Sequence, residues 1–152
     1  MIIIRNVTDY IVYSEDAISS ALGKIEKNNS GLVFLVNHHD ELDGVLTDGD
    51  FRRWVLDQET VDLNDRVFEI ARKDFTCMRE GESPEKIRAS FSEVIKFIPI
   101  VDKNNHLVAI AKGDSSSIQI GSHILSRTSS AFIIAEIGIN HNGSLNSAKQ
   151  LV

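Results

Sequence analysis

The chain has a single cysteine, Cys77, so no disulfide framework can form within it and a cytoplasmic location is expected. It is also short of positive charge. Sixteen lysines and arginines face 22 acids, and the net charge of −6 argues against a nucleic-acid partner, which selects basic surfaces. Long hydrophobic runs are missing too. The opening Met1-Ile-Ile-Ile-Arg5 is far too short for a signal peptide or a membrane span and has no cleavage pattern, so no membrane partner is expected. Metal-ligand spacing is equally absent. His38-His39-Asp40-Glu41 lies in a turn where adjacent histidines point apart, and Asp48-Gly49-Asp50 lacks the later oxygen ligands of a calcium loop. No metal site is expected. Nowhere do a nucleophile, a base and an orienting group stand together.

What remains is an ordinary domain composition, 42% hydrophobic and 25% charged, with enough chain for one core. Its main organisational signal is an internal duplication over the first 114 residues. Each copy is expected to run β-α-β-β-α, and corresponding positions lie 64 to 66 residues apart. In the first copy Ser14 can cap a helix that carries Ala17, Ile18, Ala21, Leu22 and Ile25 on one face. Gly31 to Val36 follows as a buried strand, Asn37 to Asp43 as a polar turn, Gly44 to Thr47 as a second strand, and Asp50 to Gln58 as a helix. In the second copy Phe75 to Met78 reads as a short strand and Ser83-Pro84 as a helix start, with Ile87 and Phe91 facing the core. Phe97 to Val101 and His106 to Ala111 are the next strands, joined by a turn at Lys103-Asn104-Asn105. Cys77, between Thr76 and Met78, reads as inert core.

The end of the first copy concentrates polar chemistry. Thr47 closes a strand and Asp50 opens a helix, so a hydroxyl, a carboxylate and free backbone N–H groups converge. Such a corner suits a ribose and a phosphate, with Asp50 accepting from vicinal hydroxyls and the helix N-terminus favouring the anion. Arg52 and Arg53 add guanidinium forks that match phosphate. Val33, Leu35, Ile98 and Pro99 are candidate walls for a flat base. The plainer alternative is that Asp50 is simply a good N-cap and the arginines a solvated helix face. In the second copy Ala111 stands where Thr47 stands in the first and only Asp114 is retained, so one nucleotide per chain is expected rather than two.

The two endings, Gly44-Val-Leu-Thr-Asp-Gly-Asp50 and Val108-Ala-Ile-Ala-Lys-Gly-Asp114, resemble those of the tandem CBS domain, named after cystathionine β-synthase. The resemblance implies an α/β (α+β) module with pseudo-twofold symmetry, CBS motif 1 at residues 1–60 and motif 2 at 61–116. It implies clefts that bind an adenosine-type or other nucleotide (AMP, ADP or ATP), regulation of an attached activity, and a homodimer formed through the helical faces. The alternative it leaves open is an assembly module without ligand.

The last stretch is different. Ala131-Phe-Ile-Ile-Ala-Glu-Ile-Gly-Ile139 is apolar on both pleat faces apart from Glu136, ends at the turn Asn140-His141-Asn142-Gly143, and leads into a helix from Leu145 to Val152 capped by Ser144. Ile133 to Gly143 resembles the first strand and loop of the sialic acid synthase (N-acetylneuraminate synthase) family, which condenses phosphoenolpyruvate with an N-acyl amino sugar on a TIM barrel. Ile118-Gln-Ile-Gly121 and His123-Ile-Leu125 resemble the hairpin that precedes that barrel. The resemblance implies that Glu136 contacts the sugar in a complete barrel and that a divalent Mn or Mg ion belongs only to the complete enzyme. A barrel needs about 250 residues. Residues 117–152 are therefore expected to be an incomplete N-terminal fragment, and this chain alone is expected not to be catalytic.

Overall fold

The computed structural model describes residues 1–113, 118–121, 123–125, 130, 132–133 and 141–150. They fall into two compact units, residues 1–115 and 116–152.

The first unit is built on two sheets. One, in the order β2-β3-β4, comprises β2 (Ile11–Tyr13), β3 (Leu32–Val36) and β4 (Leu42–Thr47). The other, in the order β1-β7-β6-β5, comprises β1 (Ile2–Ile4), β7 (Leu107–Lys112), β6 (Phe97–Val101) and β5 (Met78–Arg79). The duplication is visible in the pairing. In each copy the first strand lies parallel to the second, β2 on β3 and β5 on β6, and the second pairs antiparallel with the third, β3 on β4 and β6 on β7. Both antiparallel ladders shift register at their far end, between Leu35 and Val36 and between Ile100 and Val101. The turns repeat as well. Asn37 Oδ1 accepts from the backbone of His39 and Glu41, and Asp102 Oδ1 accepts from Asn104 and His106, 65 positions on. Asp40 and Asn105 supply the left-handed residue in each turn, at φ 60° and 69°. The two turns also meet, since the Asn105 amide donates to the Leu42 carbonyl at 2.9 Å and the Leu42 N–H to the Asn105 carbonyl at 2.8 Å.

Helix α1 (Ile18–Asn28) buries Ile18, Ala21 and Ile25, the spacing of one helical face, and ends at Asn29 in the left-handed region. Its start corrects the expectation for Ser14. The residue before the helix is Ala17, which offers no side-chain cap. The first N–H groups are instead taken by carbonyls of the inter-repeat connection, Ile18 to Asp65 and Ser19 to Leu63, each at 3.0 Å. Ser14 is buried and donates to Asp43 Oδ2 at 2.8 Å. Helix α2 (Asp48–Asp57) follows β4 directly, and α3 (Pro84–Ala89) begins after Ser83, whose hydroxyl accepts from the Lys86 N–H. The short strand expected at Phe75 to Met78 lies later, at Met78–Arg79, because only those residues reach β6. Cys77 is exposed rather than core.

Apolar residues sort into three clusters. Val33, Leu35 and Leu46 face α1 and pack with Val12, Ile18, Ile25 and Val67. Ile98, Ile100, Ala109 and Ala111 face α3 and pack with Ile87. Between the sheets lie Leu32, Phe34, Val45, Val101 and Ile110. This central layer explains why all five residues of β3 are buried: both of its faces are covered.

In the second unit, β8 (Ile118–Ile120) and β9 (His123–Leu125) form an antiparallel hairpin, and α4 (Leu145–Gln150) follows Ser144, whose hydroxyl accepts from the Ser147 N–H. The helix expected at the chain's end is there as α4, and no closed barrel is present among the described residues. Most of the expected strand, with Glu136, lies outside the described residues, as does Asp114.

Candidate functional site

The site grows out of the β4–α2 junction. Thr47 is the last residue of β4 and the N-cap of α2, and it forms a reciprocal capping box with Asp50: the Thr47 hydroxyl accepts from the Asp50 N–H at 3.1 Å, and Asp50 Oδ2 accepts from the Thr47 N–H at 3.1 Å. Asp50 Oδ2 also accepts from the Thr47 hydroxyl, at 2.6 Å. The other carboxylate oxygen, Oδ1, accepts from Arg53 Nη2 at 2.6 Å and lies 3.4 Å from Arg72 Nε. The Asp50 side chain is only 5% exposed, and each of its two oxygens has a partner from within the chain. Burial pushes its carboxyl upward, but the bonds from Thr47 and Arg53 and the charge of Arg72 outweigh burial and hold it below the ordinary carboxylate range.

Beside this cluster a cavity of about 700 Å³ opens between the two repeats. That volume lies within the usual range for small-molecule sites, roughly 300–1,000 Å³. Leu32, Phe34 and Val45 form one wall and Phe97 and Pro99 the other. The Phe97 ring is flanked by Tyr10, centroids 6.4 Å apart, and by the Lys112 ammonium at 5.3 Å. The rim carries Arg53, Arg72 and Lys96 against Asp74, with hydroxyls from Ser30, Thr47, Thr76 and Ser92.

The residues expected from sequence are distributed unevenly around this space. Thr47, Arg53 and Pro99 line it; Asp50 lies behind Arg53 and Arg72. Arg52 is exposed and is not among the lining residues. Of the wall candidates, Val33 and Leu35 belong to the α1 cluster and Ile98 to the α3 cluster, while their pleat neighbours Leu32, Phe34 and Phe97 face the cavity. Asp114 lies outside the described residues, and Ala111 is fully buried. Residues that sequence reasoning missed come from the connection between the copies, Arg72 and Asp74 to Thr76, and from Ser92 and Val94 to Lys96 ahead of β6. The isolated bridge between Val45 and Arg72 pins that connection along the cavity, and the charged run Arg72-Lys73-Asp74 ahead of Phe75 was its sequence signal.

A second hollow in the first copy is lined by Tyr13, Glu15, Asp43 and Phe68 and carries acids where an anion would need cations. Among the described residues no group of three or more His, Cys, Asp or Glu could hold a metal ion. No helix among them is long and apolar enough to cross a membrane.

Comparison with known proteins identifies the architecture. The CBS domain family matches residues 3–57. Staphylococcus aureus OpuCA shares the fold with a TM-score of 0.59 at 13% identity, over 72% of this chain and 87% of that one. A CBS domain protein from Pyrobaculum aerophilum, solved in complex with AMP, gives 0.54 at 22% identity, over 67% and 78%. Listeria monocytogenes CbpB, solved in complex with c-di-AMP, gives 0.56 at 16% identity, also over 67% and 78%. No curated protein sequence matches the chain. The two repeats of the first unit thus have the fold of a tandem CBS pair.

Proposed function

We propose that the CBS pair is a regulatory module that binds one adenosine-type nucleotide in the cavity between its repeats. The observation that carries this reading is the pairing, in one cavity of about 700 Å³, of an apolar aromatic wall with a cationic rim. Phe34, Phe97 and Pro99 suit a flat base, and Arg53, Arg72 and Lys96 suit phosphate. Similar folds solved with AMP and with c-di-AMP support an adenine ligand. Three cations against Asp50 and Asp74 leave a small positive excess, which favours a mono- or diphosphate over the more highly charged ATP.

A melt series with AMP, ADP, ATP, CMP and CTP tests the proposal. A nucleotide at a hundred times its dissociation constant stabilises the fold by about 2.7 kcal/mol. For a domain of this size that raises the melting temperature by roughly 10 °C. If none of the five moves the transition, the module is an assembly device, and a concentration-dependent dimer by light scattering becomes its expected property. Leu56, 84% exposed near the end of α2, is the residue whose replacement by Ser would then weaken the dimer.

The activity under control is placed by motif alone. The resemblance of Ile133 to Gly143 to a synthase strand and loop supports condensation of phosphoenolpyruvate with an N-acyl amino sugar by a protein that carries this chain ahead of a complete barrel. Phosphate release from phosphoenolpyruvate and N-acetylmannosamine, changed by AMP, is the expected readout. The same assay on this chain alone should give no turnover.

A further inference from the structure

We infer that the second hollow of the first copy binds a small guanidinium-bearing molecule, with Asp43 as its counter-charge and the Tyr13 ring as its platform. This site is separate from the inter-repeat cavity, and it stands whether or not a nucleotide binds there.

The hollow measures about 410 Å³, inside the usual range for small-molecule sites, roughly 300–1,000 Å³. The end of β2, the residues after β3, Asp43 of β4 and Phe68 of the inter-repeat connection line it. Backbone hydrogen bonds fix these walls. The Phe68 N–H donates to the Ser14 carbonyl at 3.2 Å, the Val67 N–H to the Asp16 carbonyl at 2.8 Å, and the Ser14 N–H to the Val36 carbonyl at 2.9 Å. A ligand therefore meets a formed site rather than one that it must order. Within it, Ser14 is buried and donates its hydroxyl to Asp43 Oδ2 at 2.8 Å, which orients the carboxylate. No other hydrogen bond and no ion pair reaches that carboxylate among the described residues. The neighbouring cations have other partners: Arg66 pairs with Glu15 at 2.9 Å and Glu69 at 3.5 Å, and the Lys73 ammonium stands 3.7 Å from the Phe68 ring centroid. A partly buried carboxylate with no cation of its own favours a cationic ligand.

The aromatic wall decides which cation. Tyr13 is half exposed, and its phenol donates to Asp40 Oδ1 at 3.3 Å, which holds the ring at the hollow that it lines. Lys73 already occupies the Phe68 ring, so Tyr13 is the ring left to a ligand. An ammonium is a compact, strongly hydrated charge. A guanidinium is planar and less hydrated, stacks on an aromatic face, and presents parallel N–H donors that match the two oxygens of a carboxylate. Anions are disfavoured, because Glu15 and Asp43 line the same space.

Calorimetric titration of the full chain with agmatine, a guanidinium on a short chain without a carboxylate, tests the inference, with putrescine as the dication that has no guanidinium. Agmatine should bind one to one with a dissociation constant below about 1 mM, the level that a charge-assisted fork and one ring contact together reach. It should bind about two- to fivefold more tightly than putrescine. Asp43→Asn should weaken it about tenfold or more, and this variant should melt with the unmodified chain because the amide oxygen still accepts from Ser14. Tyr13→Leu should weaken it about two- to fivefold, whereas Tyr13→Phe keeps the ring and should bind as the unmodified chain does. Absence of agmatine binding, equal binding of putrescine, or affinity that survives Asp43→Asn overturns the inference. Affinity lost in Asp74→Asn instead would put the cation in the inter-repeat cavity and overturns it as well. An equal loss in Tyr13→Phe and Tyr13→Leu would trace the effect to the Asp40 hydrogen bond and remove the ring as platform.

Discussion

Replacing Asp50 by Ala removes a carboxylate that joins three separate pieces of the fold: the end of β4, the first turn of α2 and the inter-repeat connection. The cost has identifiable parts. Loss of the reciprocal cap on α2 is worth about 1 kcal/mol. The part-buried Thr47 N–H, now 3.1 Å from Asp50 Oδ2, loses its acceptor, a further cost of about 1–3 kcal/mol. The arginines contribute less, because their side chains are 68% and 51% exposed and water replaces the carboxylate as their partner. Together these give a destabilisation of about 3 kcal/mol and a melting temperature lower by roughly 10 °C.

The pH dependence gives this prediction its sharper test. Hydrogen bonds and arginine charge hold the folded Asp50 carboxyl below its unfolded value, which is about 4. A carboxylate depressed in the folded state stabilises fully above the unfolded value, and that contribution is lost as pH falls through the folded one. The gap between the unmodified chain and Asp50→Ala should therefore be full at pH 7 and pH 5, and should narrow below about pH 4. Urea melts followed by circular dichroism at pH 7, 5 and 3.5 measure it. A gap below about 0.5 kcal/mol at pH 7, or one that stays constant through pH 3.5, would show that the cluster is not the linchpin described above.

How much of this could be read from the sequence depended on whether the deciding contact was local. The α1 face was legible because Ile18, Ala21 and Ile25 recur at helical spacing whatever lies opposite. Its cap was not, because the acceptors that replace Ser14 are backbone carbonyls of Leu63 and Asp65, which carry no side-chain signature. The duplication was legible, yet the pairing of β1 with β7 across it was not, since Ile2 to Ile4 suits any uncovered edge. The cavity walls failed for another reason. A strand buried on both faces is apolar at every position, so Val33 and Leu35 cannot be told from Leu32 and Phe34 by alternation. The ladder settles it: Leu32 lies opposite Thr47 and Phe34 opposite Val45, and residues opposed in an antiparallel pair share a face. Once Thr47 is placed in the site, parity puts Leu32 and Phe34 there with it. Pro99 lines the cavity, and Ile98, its neighbour, faces the other way.

Two further substitutions probe what packing and surface charge contribute. Glu15→Gln removes the charge of the 2.9 Å partner of Arg66, but both side chains are more than half exposed, so the melting temperature should move by less than about 3 °C. A larger loss would mean that the pair fastens the inter-repeat connection to the first copy. Gly113→Ala should do more. A Cβ there would come within 3.0 Å of the Phe91 ring edge and 3.3 Å of two further ring carbons. The glycine itself is tied by its N–H to the Lys96 carbonyl at 2.8 Å, so the backbone cannot easily retreat, and Phe91 packs against the Ile87–Ile98 cluster. Overpacking of this kind costs about 1–3 kcal/mol, against which the lower entropy of the unfolded alanine chain returns only about 0.4–1 kcal/mol. The net expectation is a melting temperature lower by about 4–8 °C. Phe91→Leu removes the ring edge, so adding it to Gly113→Ala should recover part of that loss, although alone it destabilises. If the double variant is no more stable than the sum of the single losses predicts, the ring is not what the new methyl meets, and the tightness of this corner lies in the backbone between Lys96 and Gly113 instead.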